Sequence, residues 1–254
     1  MAKRWQYFPI IVLLCVVIAF LIYVRYSEYM KALAKKRKLA AKKPAIVSAH
    51  CINMDSSTDR WKETQEYASK ANLSLVRWPA VNGQEITEDD LFSLRVSKII
   101  YRHGLLKNQR GVIGCFLSHR GLLNHLRMQS FSKNDCHLIL EDDVYIPPDF
   151  YEQWNSILRD VPNNWDIIQI GVTFPNLKPL KGRVHTHLHN RGNVGAFAYV
   201  VRHGALPKIT EHLEYMYDPI DIMIRNKWKE WNIYIVWPQI CRANDHGKST
   251  IVLK

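Results

Sequence analysis

Residues 45–254 alternate between short apolar runs, which are typical of strands, and longer segments with helical periodicity. Strands separated by helices indicate an α/β fold with a mainly parallel sheet flanked by helices. In such sheets ligands bind at the carboxyl ends of the strands, so residues at those ends are the first candidates for a functional site. We predict strands at 45–52, 75–78, 136–140, 165–171, 195–201 and 233–237, and helices at 59–73, 111–128 and 150–158.

The first 44 residues differ from the rest of the chain in their charge. They contain ten of the 35 Lys and Arg residues and one acid, so they carry most of the formal net charge of +12. The remaining 210 residues are close to neutral. Because the basicity is confined to one end of the chain, we expect no nucleic-acid partner.

Twenty consecutive uncharged residues run from Trp5 to Val24. A helix of that length spans about the 30 Å hydrocarbon core of a bilayer. We therefore predict a single-pass membrane protein, with a transmembrane anchor at 1–25, a basic juxtamembrane stalk at 26–44 and a globular domain at 45–254. A cleavable signal peptide is the alternative, because Ala32-Leu33-Ala34 has the form of a cleavage site.

The sequence leaves the orientation of this anchor open. More Lys and Arg residues follow the uncharged run than precede it, and this bias favours a cytoplasmic globular domain. The sequon Asn72-Leu73-Ser74 points the other way, because it is used only in a lumenal domain.

Three adjacent acids follow the predicted strand 136–140. Glu141, Asp142 and Asp143 have apolar residues on both sides, which a solvated turn explains poorly. Carboxylates crowded at the end of a buried strand repel one another, and a hard divalent cation removes that repulsion. A cation held there could clamp the diphosphate of a departing nucleoside diphosphate. The alternative is an acidic junction that caps the following helix.

Four stretches of the chain, in the same order, resemble glycosyltransferase family 25, the group of lipooligosaccharide and procollagen galactosyltransferases. One contains the three acids, and another has the family's Gly-x-x-Gly-Cys-x-x-Ser-His helix start at Gly111. Ser56 stands where the family usually has Arg, and the region after residue 225 matches loosely. The stretches are 51–61, 78–83, 111–120 and 138–144.

The resemblance implies a GT-A-type, Rossmann-like fold, a nucleotide-sugar donor such as UDP-galactose, a divalent metal and inversion at the anomeric carbon. The implied acceptor is a hydroxyl of a glycan, a glycolipid or a protein, and anchored eukaryotic members would face the Golgi or ER lumen. The residues that it implies for the donor are Asn53, Asp55, Arg60, Ser118, His119, Glu141 and Asp142. Those that it implies for the metal, Mn²⁺ or Mg²⁺, are Asp143, Glu141 and His246.

The resemblance also places the catalytic base, which takes the proton of the acceptor hydroxyl, within residues 217–221. Asp221 is the first candidate and Asp218 the second. The structural alternative is that Asp218 caps a helix with Pro219 at its first position, while Asp221 complements the helix dipole.

Other sequence features support weaker hypotheses. His185, His187 and His189 would share one face of a strand and could bind a metal, but no carboxylate accompanies them. The cysteines form no C-x-x-C pair, so buried free thiols are favoured over structural zinc. The alternative function is a catalytically inactive, membrane-tethered protein of the same fold that binds a glycan or a nucleotide. A phosphatase or nuclease is a third.

Overall fold

The structure is a computed structural model that describes residues 17–18, 20–31, 44–97, 109–189, 192 and 194–244. The chain divides into two compact units, Met1–Lys43 and Pro44–Lys254. In the first unit, residues 17–18 and 20–31 are helical. Among the described residues, we find no helix with the length and apolar character needed to span a membrane. Most of the predicted anchor 1–25 and of the stalk 26–44 lies outside the described residues, so both stay predictions.

The second unit contains a large sheet flanked by helices. Eight strands form this sheet in the order β2-β1-β3-β8-β5-β9-β7-β6, and β4 and β10 pair separately. The strands are β1 (Ile46–Asn53), β2 (Leu75–Pro79), β3 (Cys136–Glu141), β4 (Val144–Tyr145), β5 (Ile167–Thr173), β6 (Leu177–Lys181), β7 (Val184–His187), β8 (Val194–Arg202), β9 (Ile233–Val236) and β10 (Arg242–Ala243). The helices are α1 (Thr58–Lys70), α2 (Asp90–Ser93), α3 (Gln109–Arg127), α4 (Phe150–Asp160), α5 (Leu206–His212) and α6 (Ile220–Asn226).

The prediction of an α/β fold is confirmed, but the prediction of a mainly parallel sheet is wrong. The pairs β1·β2, β1·β3 and β5·β9 are parallel, whereas β3·β8, β5·β8, β6·β7 and β7·β9 are antiparallel. A parallel neighbour needs a long crossover, usually a helix. Between β5 and β8 the chain instead forms the hairpin of β6 and β7, and β8 returns antiparallel to β5. The sheet is therefore mixed.

Helices cover both faces of the sheet, and this explains why the first five residues of β3 are buried. Ile139 packs on one face with the apolar side chains of α3, α5 and α6. Leu138 and Leu140 pack on the other face with α4 and with Ala68 of α1. These contacts fix α1 and α3 against the two faces of β3, on either side of the three acids at its carboxyl end.

Candidate active site

Asp142 is held by side chains from β1 and α1. The Nδ2 atom of Asn53, the last residue of β1, donates a hydrogen bond of 2.7 Å to Asp142 Oδ2. Arg60 of α1 donates to Asp142 Oδ1 over 3.2 Å, and the Thr64 hydroxyl donates to the Asp142 carbonyl oxygen over 3.1 Å. Both carboxylate oxygens are thus bound by the protein, and the Arg60 guanidinium balances the Asp142 charge.

Arg77 of β2 completes this network, although no sequence pattern pointed to it. Its Nε atom donates to Asn53 Oδ1 over 2.7 Å, and its terminal nitrogen forms an ion pair of 2.5 Å with Asp55. The parallel pairing of β1 with β2 brings Asn53 beside Pro79 and therefore close to Arg77 on the same strand. No local sequence pattern predicts how the residues of these two strands pair. Asp55 is largely exposed and pairs with Arg77.

Glu141 faces α3 instead of α1. Its Oε1 atom lies 3.3 Å from His119 Nε2 and 3.9 Å from Cys115 Sγ. His119 is fully buried, and its Nδ1 atom lies 3.1 Å from the Tyr199 hydroxyl of β8. Burial, together with the charges of Glu141 and Asp221, raises the pKa of the Cys115 thiol well above its ordinary value, so the thiol is neutral.

Ser118 holds the 81–83 loop against α3. Its hydroxyl donates to the Gly114 carbonyl oxygen over 2.6 Å and accepts from the Val81 backbone N–H over 2.8 Å. Gly83 packs so closely on α3 that a Cβ atom there would lie 1.8 Å from the Arg110 carbonyl oxygen. Gly83, Gly114 and Ser118 therefore set the distance between α3 and the 81–83 loop.

A cavity of about 330 Å³ opens at the carboxyl ends of β1 and β3, where the sequence analysis expected a site. Its volume lies at the lower end of the range for small-molecule sites. Of the predicted donor residues, Ser118, His119, Glu141 and Asp142 line it, whereas Asn53, Asp55 and Arg60 are not among its lining residues. The other lining residues are Ile52, Met54, Ser56, Ser57, Ala80, Val81, Asn82, Gly83, Gln84, Gly111 and Cys115.

Asp143 has an oxygen that suits a cation. Its Oδ1 atom is buried and has no hydrogen-bond partner in the described part of the chain. Burial, together with the charges of Glu141 and Asp142, raises the pKa of Asp143 to about 6, and the charge of Arg60 opposes the shift. A buried, unpaired carboxylate oxygen is costly unless a cation or donor satisfies it. This oxygen therefore fits Mn²⁺ or Mg²⁺, both of which prefer oxygen ligands.

The predicted ligand His246 lies outside the described residues. It follows Asn244, whose backbone N–H donates to the Asp143 carbonyl oxygen over 2.6 Å. The pairing of β10 with β4 thus returns the end of the described chain to the three acids. The structure leaves the assignment of His246 as a prediction.

The structure does not place Asp218 or Asp221 in the lining of the cavity. Asp221 accepts backbone hydrogen bonds of 2.8 Å from Gly195 on Oδ2 and from Ile222 on Oδ1. Its charge contributes to the raised pKa of Cys115. Burial raises the pKa of Asp218. Pro219, not Asp218, is the N-cap of α6.

The predicted row of histidines does not form a metal site. In the described residues, one group of three metal-ligating side chains has its ligand atoms within 4.8 Å of one another, and it consists of Cys115, His119 and Glu141. His187 is instead buried, with its ring beside Trp228. Burial and Arg225 lower the pKa of His187 to about 4.

Comparisons with known proteins identify the family that the sequence resembles. The sequence profile of glycosyltransferase family 25, described as an LPS biosynthesis protein family, matches residues 47–224, more than half of the chain. A glycosyltransferase 25 family member of Aedes aegypti is 26% identical over 140 residues, which are 53% of this chain and 22% of that protein. A protein named as a glycosyltransferase in Acanthamoeba polyphaga mimivirus is 25% identical over 125 residues, 48% of this chain and 36% of that protein.

The chain therefore matches between a fifth and about a third of the length of these relatives. Among solved structures, the apo form of mouse xyloside xylosyltransferase 1 has a TM-score of 0.34 at 9% identity, covering 74% of this chain and 70% of that one. That likeness is too weak to support an inference. The family profile carries the assignment, because it includes all four of the stretches that suggested the resemblance. The chain belongs to glycosyltransferase family 25.

Proposed function

We propose that this chain transfers a hexose, with galactose as the first candidate, from a UDP-sugar to an acceptor hydroxyl with inversion at the anomeric carbon. The acceptor is a glycan, a glycolipid or a protein side chain. The observation that carries the proposal is the cavity at the ends of β1 and β3, with the unpaired Asp143 oxygen among the acids beside it. The relatives' names and the family profile support the transferase class.

In this proposal the cavity receives the nucleotide part of the donor. Asn53 and Arg60 hold the Asp142 carboxylate in place, and Ser118 holds the 81–83 loop that lines the cavity. Asp143 holds Mn²⁺ or Mg²⁺, with Glu141 and His246 as further ligands. When bound, the cation balances the negative charge of the diphosphate.

Asp221 is the proposed base. A backbone hydrogen bond fixes each of its oxygens, and each oxygen keeps a second lone pair that can accept the proton of the acceptor hydroxyl. The hydrogen bond from Gly195 ties the carboxylate to the start of β8. Asp218 is the second candidate. Burial raises the pKa of its carboxyl group.

We also propose that residues 1–25 anchor the chain in a membrane and that 26–44 form its stalk. The length of the uncharged run and the basic residues after it support this. The test is protease protection in sealed vesicles, because a lumenal domain survives digestion until detergent is added. Digestion of the domain in intact vesicles would place it on the cytoplasmic side.

The activity is tested by incubating the purified full chain with UDP- and GDP-sugars and measuring the release of nucleoside diphosphate. We expect release from one donor, loss of release with chelator, and loss in Asp143→Asn. Asp221→Asn should retain donor binding while transfer falls by about 10²–10⁴-fold. Asp149→Asn, which changes an exposed acid at the start of α4, is the matched control. Donor binding without turnover would favour the inactive binding protein, and the absence of both would refute the proposal.

A further inference from the structure

The side chains of Cys115, His119 and Glu141 form a cluster. The proposed transfer reaction gives no role to the Cys115 thiol. Their ligand atoms lie within 4.8 Å of one another. In a tetrahedral zinc site with bonds of about 2.0–2.3 Å, neighbouring ligand atoms are roughly 3.3–3.6 Å apart. The observed separation of Nε2 from Oε1, 3.3 Å, already has this value. The separation of Sγ from Oε1, 3.9 Å, exceeds it by a few tenths of an ångström.

Helical spacing and packing hold this cluster in place. Cys115 and His119 are four residues apart on α3 and therefore lie on the same face of the helix. Glu141 ends β3, against which α3 packs through Phe116 and its neighbours. The three ligand atoms are thus brought together by rigid elements, and a metal would not have to order a loop.

The His119 ring is oriented as a metal ligand would be. Histidines that bind metals usually have a hydrogen-bond partner on the other ring nitrogen, which fixes the ring and its tautomer. The Tyr199 hydroxyl lies 3.1 Å from Nδ1 and can either accept or donate. When it accepts the Nδ1–H, the lone pair of Nε2 is directed to the centre of the cluster.

We propose that Cys115, His119 and Glu141 form a binding site for Zn²⁺ or another thiophilic divalent cation, with its fourth position open to the cavity. Thiolate and imidazole ligands favour zinc over the Mn²⁺ or Mg²⁺ that suits the oxygen of Asp143. Binding replaces the proton of the Cys115 thiol with a sulfur–zinc bond, and that proton is released to solvent. No change in oxidation state is involved.

All three ligands line the cavity, so the bound ion occupies its inner surface. It also engages Glu141, which the proposed function assigns as a further ligand of the cation at Asp143. If the cavity binds the donor, as the proposed function states, zinc competes with the nucleotide-sugar and inhibits transfer. The effect on the donor depends on that function, whereas the binding of zinc does not.

Cobalt is the probe for this site, because a thiolate ligand gives Co²⁺ a charge-transfer absorption band. We expect one equivalent of Co²⁺ to produce this band in the purified full chain and Zn²⁺ to abolish it. The band should be absent in Cys115→Ser and present in Cys136→Ser, which changes a buried thiol at the opposite end of β3. A wild-type chain without the band, or a folded Cys115→Ser variant that keeps it, would overturn the proposal.

A second measurement on the wild-type chain needs no variant. Alkylation of Cys115 is followed by peptide mass spectrometry with and without metal. With Zn²⁺ at ten times its dissociation constant, alkylation should slow by about tenfold, because only the metal-free fraction reacts. Mg²⁺ at the same concentration should not slow it. Equal rates with and without Zn²⁺ would refute the site, and this result is independent of any donor or turnover.

Discussion

Two glycines on α3 allow the same substitution to be tested in two environments. Gly114 and Gly121 are both within Gln109–Arg127. A Cβ atom on Gly114 would lie 2.6 Å from the Val81 carbonyl oxygen and 2.8 Å from the Gly83 backbone nitrogen. A Cβ atom on Gly121 would meet only the edge of the Trp78 ring, at 3.6 Å, which is an ordinary contact.

The two variants should therefore differ in stability. Replacing Gly by Ala within a helix stabilises the helix by about 1 kcal/mol, and this stabilisation applies to both variants. Gly114→Ala also introduces an overpacked contact with backbone atoms that cannot rotate away, which costs about 1–3 kcal/mol. We expect Gly121→Ala to raise the free energy of unfolding by about 0.5–1 kcal/mol. Gly114→Ala should be about 1–3 kcal/mol less stable than Gly121→Ala, because the helix term cancels between them.

Urea unfolding of both variants measures this difference, and equal m-values would show that the unfolded states are comparable. For a domain of this size, each 1 kcal/mol corresponds to a change in Tm of about 2–4 °C. Because Val81 and Gly83 line the cavity, Gly114→Ala should also weaken donor binding, whereas Gly121→Ala should not. If Gly114→Ala is as stable as Gly121→Ala and binds donor normally, the close packing of α3 on the loop does not shape the cavity.

Three further predictions concern buried polar groups. Asn53→Ala should lower the free energy of unfolding by about 1–3 kcal/mol in urea titrations, because it leaves buried hydrogen-bonding groups unpaired; an unchanged midpoint would contradict this. Asp143→Asn should raise the Tm of the metal-free chain while metal-dependent donor binding is lost, since a buried charge among other acids is removed. A lower Tm without metal would argue against that crowding. Burial and His203 lower the pKa of His137 from 6.5 to about 4. As the pH falls, His137 therefore becomes protonated in the unfolded chain at a higher pH than in the folded chain. The free energy of unfolding should therefore drop by up to about 3 kcal/mol between pH 6.5 and pH 4, and His137→Gln should reduce this slope; equal slopes would refute the assignment.

The sequence predicted the central strands well because their burial leaves a local pattern. β3 was expected at 136–140 and is found at Cys136–Glu141, and α3 was expected at 111–128 and is found at Gln109–Arg127. The antiparallel placement of β8 was not predictable in the same way. An apolar strand that is covered on both faces has the same composition in either direction, and only the path of the chain from β5 decides it.

The site was predictable where one residue type had to stand at the end of a strand. The three acids were selected for that reason, whereas Asn53 was selected from the family resemblance, and the structure joins Asn53 to Asp142. Arg77 was missed because its contact depends on the register of two strands. The i, i+4 spacing of Cys115 and His119 was visible in the sequence, but their partner Glu141 became apparent only when α3 was packed against β3.

The three adjacent acids have different roles because the chain turns at the end of β3. Asp142 points to α1 and is balanced by Arg60, and Glu141 points to α3 and lies beside the neutral thiol of Cys115. Asp143 keeps a buried oxygen without a partner among the described residues. Three carboxylates and one guanidinium leave two negative charges at the edge of the cavity, which is the charge that one divalent cation balances. An acid that served only as a helix cap would accept a hydrogen bond from a backbone N–H of that helix, and Asp143 Oδ1 accepts none from the described residues. The separation of the paired Asp142 from the unpaired Asp143 is therefore the strongest argument that this edge of the sheet binds a cation.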